Sequence, residues 1–229
     1  MPVILCLETS TPVCSVAIAS ESGLLSLVED VTENRHASHL TIYIEQALQQ
    51  AGLNLQQVDA IAVSKGPGSY TGLRVGVSTA KGFCYALKIP LLGVGTLQGL
   101  ALQMAPYVAN EPKALLIPML DARRMEVYNQ LFNAYGNALG NAEATVVDSY
   151  SFLEILDEHT VYFAGPGAPK CSPVIQHPNA IFLPDIRCSA SSLFAPALAL
   201  LNNQQVEDVA YMEPFYLKDF VGTTPKKRV

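Results

Sequence analysis

Between Val58 and Leu100 the chain places an apolar strand, a Gly-Pro-Gly turn, a long helix with two apolar faces and a second short strand in immediate succession. The spacing predicts strand at Ala60–Val63, a turn at Gly66-Pro67-Gly68, helix from Ser69 or Thr71 to Leu87, and strand at Pro90–Val94. Leu73, Val77, Ala80, Cys84 and Leu87 recur at helical spacing and form the stripe that faces the chain's own core. A second stripe, Gly72, Val75, Gly76, Thr79, Gly82, Phe83 and Ala86, is built of small residues and one aromatic. Arg74, Ser78, Lys81, Tyr85 and Lys88 leave only a narrow polar edge. An interior helical glycine is worse than alanine by about 0.8–1 kcal/mol, so Gly76 and Gly82 together cost about 2 kcal/mol unless something packs closely on them. Two coverings answer that requirement: another helix of the same chain, or a partner subunit.

The rest of the chain sets the frame. Its 229 residues suit one large domain or two of about 100 residues. Half are hydrophobic and 15% are charged, which supplies a core and excludes a disordered chain. No apolar run reaches the roughly 20 residues of a membrane span. The opening MPVILCLETS lacks a basic leader and reads as a strand, so the cytoplasm is the expected compartment and no membrane partner is expected. The five cysteines, Cys6, Cys14, Cys84, Cys171 and Cys188, are widely spaced without a C-x-x-C pair and read as reduced, mostly buried thiols. A formal net charge of −6 argues against unaided nucleic-acid binding, because phosphate contacts dominate such affinity. The basic tail Pro225–Val229 reads as a solvated end.

Three strands open the chain, Val3–Leu7, Cys14–Ala19 and Leu24–Val31, and a helix from about His36 to Gln50 follows, with Leu40, Ile44, Ala47, Leu48 and Ala51 inward. A meander followed by helix, strand, helix and strand is an α/β order. Pro106 to Pro112 marks a boundary, giving a first lobe over 1–105 and a second over 106–229. In the second, Ala114–Leu120 and Glu126–Phe132 pair through a turn at Asp121–Met125. Val161–Ala164 leads into a loop at Gly165–Pro169, and a helix capped by Ser189 runs to about Leu201 with a kink or break at Pro196.

The run GPGSYTGLRVGVSTAKG, with IPLLGV after it, closely resembles the signature of the TsaB (YeaZ) family. ILCLETSTPVCSVAI, RHASHLTIYIEQALQQAGL, LDARRMEVY and the closing EPFYLKDF resemble further elements of that family, so the similarity spans most of the chain. The resemblance implies an actin-like, ribonuclease H-type fold of two lobes, the second reduced. It also implies a non-catalytic subunit in synthesis of tRNA N6-threonylcarbamoyladenosine. The partners it implies are a TsaD-type transferase and a TsaE-type ATPase, with a homodimer when the chain is alone and tRNA met only through the complex. No cofactor and no metal are expected. The helix from His36 would lie beside the glycine-rich helix. The partner surface would then comprise Tyr43, Gly72, Val75, Gly76, Thr79, Gly82 and Phe83, anchored by Tyr43 and Phe83.

Candidate chemistry is sparse. Glu8-Thr9-Ser10-Thr11 occupies the place of a phosphate-wrapping turn in actin-like ATPases, but glycine is missing, Pro12 removes one amide, and Glu8 stands where the family pattern usually carries Asp. Glu8, Thr9, Ser10, Gly66 and Gly68 therefore read as remnants of a nucleotide loop or as structural turns. Lys65–Gly72 precedes a helix N-terminus, which suits an anion, yet no Walker spacing is present. His36 and His39 lie one turn apart without the spacing of a metal motif. FAGPGAP at Phe163–Pro169 is a degenerate form of an adenosine-binding motif in active relatives. The opposing enzyme reading, a self-sufficient actin-like phosphotransferase or a metalloprotease-like enzyme, would need the missing metal ligands and an intact phosphate loop.

Overall fold

Two sheets built on one strand order make up the molecule. The computed structural model describes residues 1–31 and 36–218, with only the backbone at 36–38. Arg35, the side chain of His36, and the tail at Pro225–Val229 therefore lie outside the described residues. β1 (Ile4–Glu8), β2 (Cys14–Ser20) and β3 (Gly23–Asp30) form an antiparallel meander. α1 (His36–Ala51), β4 (Ala60–Gly66), α2 (Tyr70–Leu87) and β5 (Leu91–Gly95) complete the first sheet in the order β3-β2-β1-β4-β5. β4 runs parallel to β1, and β5 parallel to β4.

After α3 (Thr96–Met104), the second sheet takes up β6 (Leu115–Asp121), β7 (Glu126–Asn129), β8 (Phe132–Asn133) and β9 (Glu143–Val146). α4 (Leu153–Glu158), β10 (Val161–Ala164), α5 (Ala168–Cys171) and β11 (Ala180–Phe182) follow. Its order is β11-β10-β6-β7-β9, with β8 beside β6. Here too the opening strand begins an antiparallel meander of three strands on one side and has two strands in parallel succession on the other. That repeat is the actin-like, ribonuclease H-type arrangement of two lobes. The second lobe is reduced: α1 and α2 have 16 and 18 residues, α4 and α5 only 6 and 4.

The unbroken apolar run of β1 follows from burial on both faces. Leu5 and Leu7 join the cluster under α1 and α2, while Ile4 and Cys6 alternate to the opposite face. That opposite face is covered by residues from late in the chain, Ala190, Leu193 and Ala197. They belong to a 3-10 turn at Ala190–Leu193 and to α6 (Phe194–Asn202). Ser189 caps the turn, accepting from Ser191 N–H. The break in this helix falls before Pro196, which occupies the first turn of α6, where its missing N–H loses no helical acceptor.

Three elements differ from the expected ones. Thr96–Met104 is helical because both its sides are buried: Leu97, Leu100, Ala101 and Met104 pack with Leu116 and Phe132 of the second sheet, and Gly99 meets Ser192 and Leu193. Of its nine residues only Gln98 is exposed, and so short a segment carries little usable period. The strand expected over Glu126–Phe132 is interrupted at Gln130–Leu131. The loop expected over Gly165–Pro169 turns into α5 at Ala168.

Thus α3, which follows the first sheet, packs in the second lobe, and α6, which follows the second sheet, packs on the first. Leu100→Ala and Leu193→Ala should each cost about 2–5 kcal/mol as buried truncations. Urea unfolding followed by circular dichroism and tyrosine fluorescence should give one coincident transition in both variants. Two separated transitions would show that the lobes unfold independently.

Candidate functional site

The β1–β2 turn is folded onto the start of α2 and closed there by the chain itself. Thr9 Oγ1 donates to the Gly72 carbonyl (2.7 Å), and Ser69 N–H donates to the Ser10 carbonyl (2.6 Å). Ser69 also caps α2 through Gly72 N–H. Beneath the turn, Ser64 Oγ donates to Glu8 Oε1 (2.9 Å), which also accepts from Ser10 N–H (2.7 Å). Glu8 is 1% exposed. Burial raises its carboxyl above the ordinary value, against the hydrogen bonds from Ser10 and Ser64 that favour the charged form. The Ser10 and Thr11 hydroxyls are buried beside the Cys188 thiol and make no hydrogen bond of ordinary geometry.

This closure corrects several sequence assignments. A Cβ at Gly68 would collide with Ser10, and one at Gly66, where φ is +120°, would collide with the Phe215 carbonyl. Both glycines therefore admit close approach of the same chain, which accords with the structural-turn reading, while Gly68 still borders the cavity described below. Glu8, Thr9 and Ser10 are spent on holding the turn. Gly72 and Gly76 leave the partner surface for the same reason: they are buried, and a Cβ at either would strike Thr9. Tyr43 is 8% exposed, packs in the core under α1, and donates its hydroxyl to Asp30 (2.5 Å). It is a core residue and cannot anchor a partner.

What remains of the small stripe is open. Nothing lies within 4 Å of a Cβ at Gly82. Gly82 and Ala86 are exposed, Thr79 is half-buried, and Val75 and Phe83 are half-buried against the core. α1 lies beside α2 and exposes Ile42. The polar edge at Arg74 and Lys81 is not open. Residues 205–218 return from α6 and run along it: Lys81 donates to the Ala210 and Met212 carbonyls, and Arg74 donates to the Tyr216 hydroxyl. The EPFYLKDF sequence marked this segment only as a family element, because an extended strap has no period of its own.

Between the lobes lies a cavity of about 1090 Å³. Ser10, Thr11 and the start of α2 form one wall, the β6–β7 turn from Asp121 to Glu126 forms another, and Phe215–Lys218 of the strap form the rim. Arg123 and Arg124 line it from left-handed backbone, at φ 71° and 47°. FAGPGAP contributes Pro166, while a Cβ at Gly165 or Gly167 would meet the β6 backbone. Among the described residues no group of three or more His, Cys, Asp and Glu could hold a metal ion. All five cysteines are buried and unpaired, and burial pushes the Cys14 and Cys84 thiols up to about 12, far from thiolate reactivity. Among the described residues no helix is long and apolar enough to cross a membrane.

A family model described as TsaD, tRNA N6-adenosine threonylcarbamoyltransferase, matches residues 27–220. The chain is 26% identical to the Escherichia coli tRNA threonylcarbamoyladenosine biosynthesis protein TsaB over 96% of both chains. The Bacillus subtilis protein of the same name is 32% identical over 68% of this chain and 66% of its own. The solved structure of YeaZ from Pseudomonas aeruginosa superimposes with a TM-score of 0.81 at 28% identity, covering 95% of this chain and all of that one. The chain belongs to the TsaB (YeaZ) family. A match to the Haemophilus influenzae TsaB protein, at 34% identity, spans 51% of that relative's length. A second Pseudomonas aeruginosa structure, with TM-score 0.82, is described as similar to peptidase YEAZ.

Two measurements test the closed turn. Gly72→Ala drives a methyl into the Thr9 carbonyl and should destabilise by about 1–3 kcal/mol, whereas Gly82→Ala, at an open helical position, should stabilise by about 0.5–1 kcal/mol. Chemical denaturation of both variants separates the two faces. Because the Glu8 carboxyl is raised in the folded state, its contribution is fully present below the ordinary carboxylate pKa and is lost as pH rises through the elevated value. Glu8→Gln should remove that fall. Thermal midpoints from pH 4 to 8 should then converge at low pH and diverge above it, with the variant the more stable.

Proposed function

We propose that this chain is a non-catalytic subunit in synthesis of tRNA N6-threonylcarbamoyladenosine, and that it holds a TsaD-type transferase against the open face of α1 and α2. The observation that carries the reading is the pairing of a closed turn with an open stripe on one helix. At Gly72 the space is taken by the Thr9 backbone and at Gly76 by the Thr9 side chain, whereas at Gly82 nothing fills it. A helix that keeps an uncovered glycine at a cost of about 1 kcal/mol is suited to close approach by another backbone. Val75, Thr79, Gly82 and Phe83 are the residues that would meet the partner helix.

The non-catalytic part of the reading draws support from the same geometry. Glu8 is buried, and its Oε1 is taken up by Ser64 Oγ and Ser10 N–H, a setting unlike that of a carboxylate open to a metal-bound water. The family names of the relatives support the pathway. A TsaE-type ATPase joins the pair in this scheme, tRNA is engaged by the complex, and the same α1–α2 face supports a homodimer when the partner is absent. The cytoplasm is the compartment in which such chemistry takes place.

Reconstitution of the tRNA modification from purified transferase and ATPase, with and without this chain, tests the role directly. Gly82→Arg adds a long side chain where the isolated protein has open space, so its thermal midpoint should stay near wild type. Its affinity for the transferase should fall by at least about tenfold, and modification should fall with it. Tyr43→Ala, by contrast, should lower stability through a lost buried ring and leave the affinity of the folded fraction unchanged. Normal binding by Gly82→Arg would move the interface off α2.

A further inference from the structure

We infer that the C-terminal strap carries a clasp, Lys218 on Glu126, that sets how far the cavity between the lobes opens. The strap is held to the first lobe along its length. Glu207 N–H donates to the Leu91 carbonyl and its carboxylate pairs with Lys65 (2.9 Å). Met212 is buried in the first-lobe core, and Phe215 N–H donates to the Lys65 carbonyl (2.6 Å), its own carbonyl against Gly66. Tyr216 stacks on Tyr70 at 4.7 Å and accepts from Arg74. Lys218 thus begins from a fixed place on the first lobe.

The other jaw is equally braced. In the β6–β7 turn, Lys170 donates to the Asp121 carboxylate (2.5 Å) and to the Glu126 carbonyl (2.7 Å). Burial alone would raise the Asp121 carboxyl, yet Lys170 and the Arg123 N–H hold it below its ordinary value. Asp121 is thereby occupied, and Glu126 is left to receive Lys218, which donates to both its oxygens at 2.6 Å. Of the hydrogen bonds among the described residues, this bidentate pair is the one that joins the strap to the second lobe. The lobes are also joined by apolar packing of α3 against β6 and against the Ala190–Leu193 turn, a contact about which one lobe can rotate against the other.

The pair is partly exposed, Lys218 at 48% and Glu126 at 19% of their side chains, so it tunes an equilibrium and does not lock it. A pair of this kind shifts a two-state ratio by about fivefold. What it governs is access to the walls lined by Thr11, Arg123 and Arg124.

The test uses the full chain carrying paired labels at Thr71→Cys and Val146→Cys, which line the cavity from opposite lobes. The five native thiols are buried, so the labels enter only the introduced ones. Electron–electron dipolar spectroscopy should give one short, narrow distance in the otherwise wild-type chain. Glu126→Gln and Lys218→Ala should each add a longer population and raise the open-to-closed ratio about fivefold. Salt at about 1 M should do the same to the parent and add nothing to either variant. The exchanged pair, Glu126→Lys with Lys218→Glu, should restore the short distance. Distributions in the single variants that superimpose on the parent would overturn the clasp, as would an exchanged pair that stays open.

Discussion

The carbonyl of Thr9 rests against the backbone of α2 where Gly72 stands, and the first lobe is organised around that approach. A strand-to-strand turn can come this near a helix only if the helix has no side chain there. Once it has done so, the Ser10 carbonyl is within reach of Ser69 N–H, Thr9 Oγ1 reaches the Gly72 carbonyl, and Glu8 is sealed below them. One close contact therefore sets the geometry of the turn and encloses Glu8 beneath it.

That contact explains where the sequence was readable. The inward stripe Leu73, Val77, Ala80 and Cys84 is buried as its period required. The small stripe beside it was legible as a surface needing close cover, and both coverings turn out to exist on one helix. At Gly72 the cover is the Thr9 backbone and at Gly76 the Thr9 and Val63 side chains, while Gly82 stays open. Helical spacing alone could not divide the stripe, because it reports direction from the axis and carries nothing about a turn arriving 63 residues away along the chain. Tyr43 was misplaced for a related reason. A tyrosine suits an interface and a core equally, and its burial depends on Asp30 being present to take the hydroxyl.

Elements without a period were the ones missed. α3 is buried around most of its circumference because it packs between the two sheets, with Gln98 alone exposed, and a short helix of that kind resembles any short buried segment. The strap is extended, and it is placed by isolated contacts: Met212 in the core, Phe215 on Gly66 and Tyr216 on Tyr70. Each contact partner lies more than 100 residues earlier in the chain. The repeated strand order of the two lobes was equally hidden, since the repeat is one of connection and leaves no trace in residue identity.

The shrinkage of α4 and α5 to 6 and 4 residues bears on valency. Two lobes of matching topology, each carrying a full helical pair, would present two similar adhesive faces on one molecule. Such a molecule can accept a neighbour at either end, and head-to-tail contacts of that sort propagate into rings or filaments. With the second pair cut to stubs, the protein carries one long helical pair, so under the proposed role it has one helical face to fill. On that proposal, reduction of the second lobe acts as a chain terminator: assembly through the helices would end at a pair.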